Sequence, residues 1–408
     1  MPHDRIERAL LAELSKLDAE GRRKGAETVI AGIVPARDGH GPRFLIAGEG
    51  DRPFLRMNAN NYLGLSLSAE IAAAEEAGCR SFGTGPGAVR FIGGTWAPHV
   101  ALEQSLAAFH RRDAAMAFSS AYGAMMGVLP SLITPDTAVI SDALNHNCII
   151  NAIRLARPRA RYVYRHLDLG ELEAKLAEAA QSCRRAIIIT DGVFSMRGDY
   201  APLAEIAAIA RRHDAAFAEN ALVLVDDSHG VAAFGTTGRG TEELTGAAAD
   251  VLVATLGKGF GVNGGYVAAS RAVVDYLRET SPFYVYSNPI APGEAAAATR
   301  SVALVESQAG RDLLAHLGAM TARFRVGLAA RGFETIAGEH PIVPLMVRDS
   351  ARTAALVRHL HRRAILATGL NYPVVPRGDE EIRFQICADH TPADIDAALA
   401  ALADFARG

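Results

Sequence analysis

Residues 222–230, LVLVDDSHG, place four aliphatic side chains directly before two aspartates, a serine, a histidine and a glycine. A run this short and this uniformly apolar predicts a strand buried on both faces, its polar end delivered to a rim. Reading outward, the pattern recurs in AVISD (138–142), AIIITD (186–191) and VLVAT (251–255). Helical stretches such as LAEIAAIARRH (203–213) separate several of them. This alternation predicts an α/β fold, a mostly parallel sheet with helices on its faces.

In such a sheet, ligands gather beyond the carboxyl ends of the strands. The residues delivered there are Asp142 and His146, Asp191 and Ser195, Asp226 and His229, and Thr255 and Lys258. Lys258 stands between glycines in TLGKGFG (255–261). Desolvation there would lower its pKa and suit it to Schiff-base chemistry, although a solvated loop lysine fits the motif as well. Asp226 and His229 fit a turn cap or a shared cation, or an anion set against a pyridine nitrogen. Ser120 precedes a helix-like run whose first amides, at Ala121 and Tyr122, either cradle an anion or are simply capped. The loop GTGPGAVRFIGG (83–94) matches neither dinucleotide nor P-loop spacing. Arg383, in EIRFQI (381–386), serves a surface ion pair or a bidentate grip on a carboxylate.

The rest of the chain narrows the class. Of 408 residues, 42 are Lys or Arg and 45 are Asp or Glu, a balance that carries no footprint for nucleic acid. No apolar run approaches the ~20 residues of a membrane span. Ile6, Leu10, Leu14 and Leu17 mark an amphipathic N-terminal helix lacking a signal peptide's apolar core, so a cytoplasmic protein is expected. The four cysteines are far apart and predict reduced, buried thiols rather than a disulfide or zinc framework. Three parts are expected: an arm at 1–55 with one helix and an irregular Gly-containing stretch, a large domain at 56–290, and a small α+β domain at 291–408.

Taken in order, NANNYLGLS (58–66), VRFIGGT (89–95), SDALNH (141–146), TDGVFSMRGD (190–199), VDDSHG (225–230), TLGKGFG (255–261) and YPVVP (372–376) resemble the α-oxoamine synthases. The likeness is collinear over residues 55–400 and greatest to the branch that acylates glycine from a short acyl-CoA. It implies a fold-type I transferase of the aspartate aminotransferase kind, using pyridoxal 5′-phosphate to join an amino acid to an acyl-CoA. A homodimer with shared active sites is implied too. By this resemblance Lys258 would carry the cofactor and later remove the α-proton, and Asp226 would keep the pyridine nitrogen protonated. His146 would stack on the ring, with His229 and Ser195 near the phenolic oxygen. The phosphate would be held by Ser120, the amides of Ala121 and Tyr122, and Thr255, with Ser287 and Asn288 of the other subunit. Asn60 and Arg383 would hold the amino-acid carboxylate.

Some residues depart from the glycine-acylating branch. GTGPGA before the VRF stretch is longer and resembles the Gly-rich version of the wider family. Ala121-Tyr122-Gly123 replaces a Cys-Phe-Asp pattern, and Asn371 stands where an aromatic does. Phe91, next to the implied acyl pocket, replaces the Asn of 5-aminolevulinate synthases and argues for a non-succinyl acyl chain; Trp96 is expected nearby in ordinary packing. The alternatives are serine or alanine as acceptor, a longer acyl donor, or a non-catalytic cofactor-binding partner subunit. The last would predict loss of Lys258 or Asp226, and both are present.

Overall fold

The computed structural model describes residues 3–20, 22–23, 26–372 and 374–407. Pro373 of the YPVVP motif therefore lies outside the described residues. Helix α1 (Asp4–Ala19) opens the chain, followed by strands β1 (Ile30–Val34), β2 (Arg43–Ile46) and β3 (Pro53–Arg56). Helices α2 (Ala69–Phe82) and α3 (Ala97–Phe109) lead to β4 (Ala114–Phe118) and α4 (Ala121–Leu132). Next come β5 (Thr137–Asp142), α5 (Asn147–Ala156), β6 (Ala160–Tyr164) and α6 (Leu169–Ala179). The series continues with β7 (Arg185–Asp191), α7 (Leu203–His213), β8 (Ala221–Asp226), α8 (Thr241–Thr245), β9 (Val251–Thr255) and β10 (Gly265–Ala269). After α9 (Arg271–Thr280), α10 (Pro282–Val285), α11 (Pro292–Glu306) and α12 (Gln308–Ala329) comes β11 (Ile342–Met346). The chain closes with α13 (Ser350–Arg362), β12 (Ile365–Leu366), β13 (Thr368–Leu370), β14 (Glu381–Gln385) and α14 (Pro392–Arg407).

The central sheet has seven strands in the order β4-β10-β9-β8-β7-β5-β6, parallel except for β10. The apolar runs form its middle because alternate side chains bury into two different cores. In β7, Ile188 belongs to the core shared with helices α3, α6, α7 and α11, while Ile187 and Ile189 belong to the core shared with α4, α5 and α9 on the opposite face. β4, β6 and β10 were not among the strands expected from sequence.

The arm differs from expectation. The stretch after α1 is not irregular: β1, β2 and β3 form an antiparallel ribbon, and β3 pairs in parallel with β12 from the far end of the chain. Buried Asp394 locks this junction, accepting from the Gly41 amide at 2.9 Å and pairing with Arg43 and His40. A three-stranded antiparallel sheet, β11-β14-β13, forms separately. Helix α1 has its amphipathic stripe, but none of its residues is buried. All four cysteines are free thiols; Cys79 is half-buried and the others are buried. Among the described residues no helix is long and apolar enough to cross a membrane, and no cluster of acidic, His or Cys side chains is placed to hold a metal.

The Gly-rich loop is anchored by charge. Arg90 is buried and donates twice to Glu103, at 3.0 and 3.2 Å. Glu103 also accepts from Arg278 at 2.8 Å and from the Ala117 amide in β4 at 3.0 Å. Removing the shared acceptor strands a buried guanidinium, so Glu103→Ala is expected to lower unfolding free energy by about 3–5 kcal/mol in denaturant melts. Glu103→Gln should cost less, since it keeps one acceptor.

Candidate active site

β7 and β8 end in register, so Asp191 lies opposite Asp226. A cavity of about 280 Å³ opens at this rim. It is lined by Ser120, Ala121, Tyr122, His146, Ser195, Asp226, His229, Thr255 and Lys258, residues that sequence reading had gathered from four strand ends and one helix start.

Lys258 is half-buried on the loop between β9 and β10. That loop is tied shut by Leu256 N to Gly264 O at 3.0 Å and by Gly261 N to Lys258 O at 3.0 Å. Gly261 has φ +71°, and a Cβ there would lie 2.4 Å from the Ser66 amide, so only glycine lets the loop close. Burial lowers the Lys258 pKa to about 8, against the raising pull of Asp226 and Asp191. Asp226 is oriented by the Ser228 amide at 3.1 Å and by the Cys148 thiol at 3.5 Å. Burial, then the charge of Asp226, holds that thiol protonated. Burial and Asp226 likewise push Asp191 well up, so the two neighbouring carboxyls avoid two full negative charges. Asp191 accepts from the His146 amide at 3.0 Å, fixing the start of α5. Burial lowers the His146 pKa, as does Lys258, against Asp226.

At the other end of the cavity, α4 starts beside β10. Ser120 caps the helix by accepting from the Gly123 amide at 3.0 Å. The amides of Ala121 and Tyr122 precede any intrahelical acceptor, and both residues line the cavity. A Cβ on Gly265 would lie 2.1 Å from the Ala121 nitrogen, so glycine alone permits β10 to pass so close. The Thr255 hydroxyl donates to Gly264 O at 3.1 Å and accepts from Gly257 N at 3.0 Å, so its proton is used within the loop.

His229 is buried, and burial followed by nearby Lys258 and Arg383 keeps its pKa well below the ordinary value. Its Nδ1 lies 2.7 Å from the Tyr62 hydroxyl. Burial raises the Tyr62 pKa, so the phenol keeps its proton and donates, leaving His229 to carry hydrogen on Nε2. Asn60 Oδ1 accepts from Arg383 Nη2 at 3.1 Å and lies 3.4 Å from the Tyr62 oxygen, which in turn accepts from Arg383. Gln385, with its amide turned so that both ends are satisfied, accepts from Arg383 Nε at 3.1 Å and donates to Met57 O at 3.1 Å. A continuous polar chain thus joins His229 to Arg383. Tyr62 lies inside a motif singled out from sequence, yet its contact with His229 spans 167 positions and leaves no local signal. Cys148 and Ser228 also line the cavity and were not anticipated.

Other expected residues lie elsewhere. Asp142 anchors turns, accepting from Leu144 N at 2.8 Å and Leu167 N at 3.0 Å. Phe91 does not line this cavity and is 67% exposed; Ser287 and Asn288, expected at the cavity of the other subunit, do not line that of their own chain.

The cavity suits pyridoxal phosphate: an amine with lowered pKa, a fixed carboxylate, a capped helix start and the buried, unpartnered Ser228 hydroxyl surround one space. Uptake of the cofactor by cofactor-free protein, followed by visible absorbance, is expected to quicken with pH through about 8, because only neutral amine attacks the aldehyde. Asp226→Asn removes a charge that raises Lys258, so the midpoint should fall; an unchanged midpoint would mean the two groups are uncoupled.

Residues 52–402 match the model of the aminotransferase class I and II family. The chain is 38% identical to the human mitochondrial 2-amino-3-ketobutyrate coenzyme A ligase, covering 100% of this chain and 96% of that protein. Its identity to the Escherichia coli K12 2-amino-3-ketobutyrate coenzyme A ligase is 42%, over 84% and 85% of the two chains. It is 38% identical to the 8-amino-7-oxononanoate synthase of Thermosipho melanesiensis, over 85% and 86%. Serine palmitoyltransferase of Sphingomonas wittichii superposes with a TM-score of 0.87 at 27% identity, covering 100% of this chain and 97% of that one. Fold and cavity together define a pyridoxal-phosphate enzyme of fold type I. The chain belongs to the aminotransferase class I and II family and, within it, to the α-oxoamine synthases.

Proposed function

We propose that the protein joins the α-carbon of glycine to the acyl group of a short acyl-CoA, acetyl-CoA in the first instance, releasing coenzyme A. The observation that supports this most is the lowered-pKa amine of Lys258 sharing a cavity with Asp226, with Arg383 close enough to act on the charge of both Lys258 and His229. The ligases named above point to the same substrates. When bound, pyridoxal phosphate supplies an aldehyde for an amine and a ring that draws electrons from the substrate's α-carbon. Lys258, with a pKa of about 8, keeps roughly a tenth of its amine neutral near pH 7, so it would hold the cofactor through its aldehyde and serve as the base for the substrate's α-proton. Asp226 would keep the cofactor's ring nitrogen protonated, and His146 would help to hold the ring. His229 would donate from Nε2 to the cofactor's oxygen, with Ser195 as a second contact. Ser120 and the amides of Ala121 and Tyr122 would hold the phosphate, with Thr255, whose proton goes to Gly264 O, bordering the same end of the cavity. Arg383 grips the amino-acid carboxylate bidentately, and Asn60 adds its amide N–H to the same group.

A longer acyl donor, or serine or alanine as acceptor, is the second reading. It is favoured by the likeness to 8-amino-7-oxononanoate synthase and serine palmitoyltransferase, and by Ala121 and Asn371. A non-catalytic partner subunit fits poorly with Lys258 and Asp226 in place. We take the working unit as a cytoplasmic homodimer, in which a second copy covers exposed Tyr122, Phe91 and Tyr286 and brings Ser287 and Asn288 to the phosphate. In that unit residues 56–290 serve as the cofactor domain and 291–408 as the smaller one.

Glycine with acetyl-CoA should release free thiol and yield a product identifiable by mass spectrometry. Lys258→Ala should lower turnover by ~10³-fold or more and abolish the cofactor-labelled peptide after borohydride trapping. No thiol from any pairing of amino acids and acyl-CoAs would defeat the proposal.

A further inference from the structure

Strand β14 turns Glu381, Arg383 and Gln385 to one face, while Ile382 and Phe384 enter the core behind it. The polar ends of Arg383 and Gln385 are accounted for by Asn60 and Met57. Glu381 is not. It is 3% exposed, its Oε1 has no partner, and among the described residues its carboxyl makes no hydrogen bond or ion pair. Burial raises its pKa to about 8, against the opposing pull of Arg383 and Arg197. Leu370 of β13 pairs with Glu381, and the next residue, Asn371, has a second buried oxygen, Oδ1, without a partner. Buried polar atoms are nearly always satisfied, so two such orphans close together, one on β14 and one just past β13, call for a partner that the chain does not supply.

We infer that Glu381 and Asn371 form a polar subsite for the amide-bearing arm of the acyl thioester, adjoining the carboxylate grip of Arg383. The inference rests on the acyl-CoA reading above. Charge selects the ligand class. A phosphate would meet the Glu381 carboxyl, and a cation would meet Arg383 and Arg197. A neutral group offering a donor and an acceptor side by side suits both an un-ionised carboxyl and an amide, and a secondary amide is such a group. Glycine has nothing left to place there: its carboxylate goes to Arg383 and Asn60, and its amine goes to the cofactor.

The test compares the wild-type holoenzyme with Glu381→Leu and Glu381→Gln. Acetyl-CoA carries the amides and ethyl thioacetate does not. Glu381→Leu should raise KM for acetyl-CoA about tenfold, leave kcat/KM for ethyl thioacetate and KM for glycine within about twofold, and be largely rescued by Glu381→Gln. Because a buried unpaired carboxyl burdens the fold, the Leu variant should also melt higher. Equal losses with both thioesters, or a shift confined to glycine, would overturn the subsite, as would a lower melting temperature without rescue. Calorimetric binding of the inert thioether S-ethyl-CoA separates this idea from the acyl-transfer reading. Weaker binding to the Leu variant supports the subsite even if no thioester turns over, and unchanged binding refutes it.

Discussion

Every strand of the central sheet except β10 runs the same way, and β5, β7, β8 and β9 are buried on both faces. A strand of this kind has no position for a polar side chain except its end. Because the strands are parallel, their carboxyl ends coincide at one rim, so one sheet direction assembles groups that lie far apart in the chain. Asp191, Asp226 and Thr255 each occupy the last position of a strand, and Lys258 follows three residues after one. The helices contribute at the same rim, since α4 and α5 both start there and bring Ser120 and His146 with their first amides.

Gathering charges in one buried place creates a problem that the surrounding side chains resolve. Two carboxyls in register would repel, and burial shifts Asp191 toward its neutral form. An amine beside them is held down by desolvation but drawn up by Asp226, which leaves Lys258 near the middle of the useful range. His146, His229 and His340 are kept neutral by burial. His340, at about 3, donates to the His229 carbonyl at 2.8 Å and so fixes the backbone from which the His229 imidazole projects. Each group is tuned by the same low-dielectric setting, and the direction differs only with the sign of the charged form.

What could be read from the chain follows from the same physics. AVISD, AIIITD, LVLVDD and VLVAT were legible because two-sided burial demands uniform apolar runs. AAMAF of β4 and GYVAA of β10 are just as buried, but small residues suffice where helices press close, and such runs have no strand signature. The ribbon β1–β3 was hidden because its strands are four or five residues long and set among glycines. At the site, the ends of strands were visible while the contacts that orient them were not. Tyr62 to His229, Cys148 to Asp226 and Asn60 to Arg383 join residues separated by 167, 78 and 323 positions.

The parallel ladder between β3 and β12 has a mechanical outcome. Residues 57–62 leave β3 and run directly along the small sheet, where Gln385 N reaches Met57 O at 2.9 Å and Ala388 N reaches Tyr62 O at 2.8 Å. Asn60 and Arg383, though they come from opposite ends of the polypeptide, are therefore riveted to one plate. A hinge between that plate and the central sheet would swing both side chains together, leaving the lysine and the strand-end acids on the stationary side.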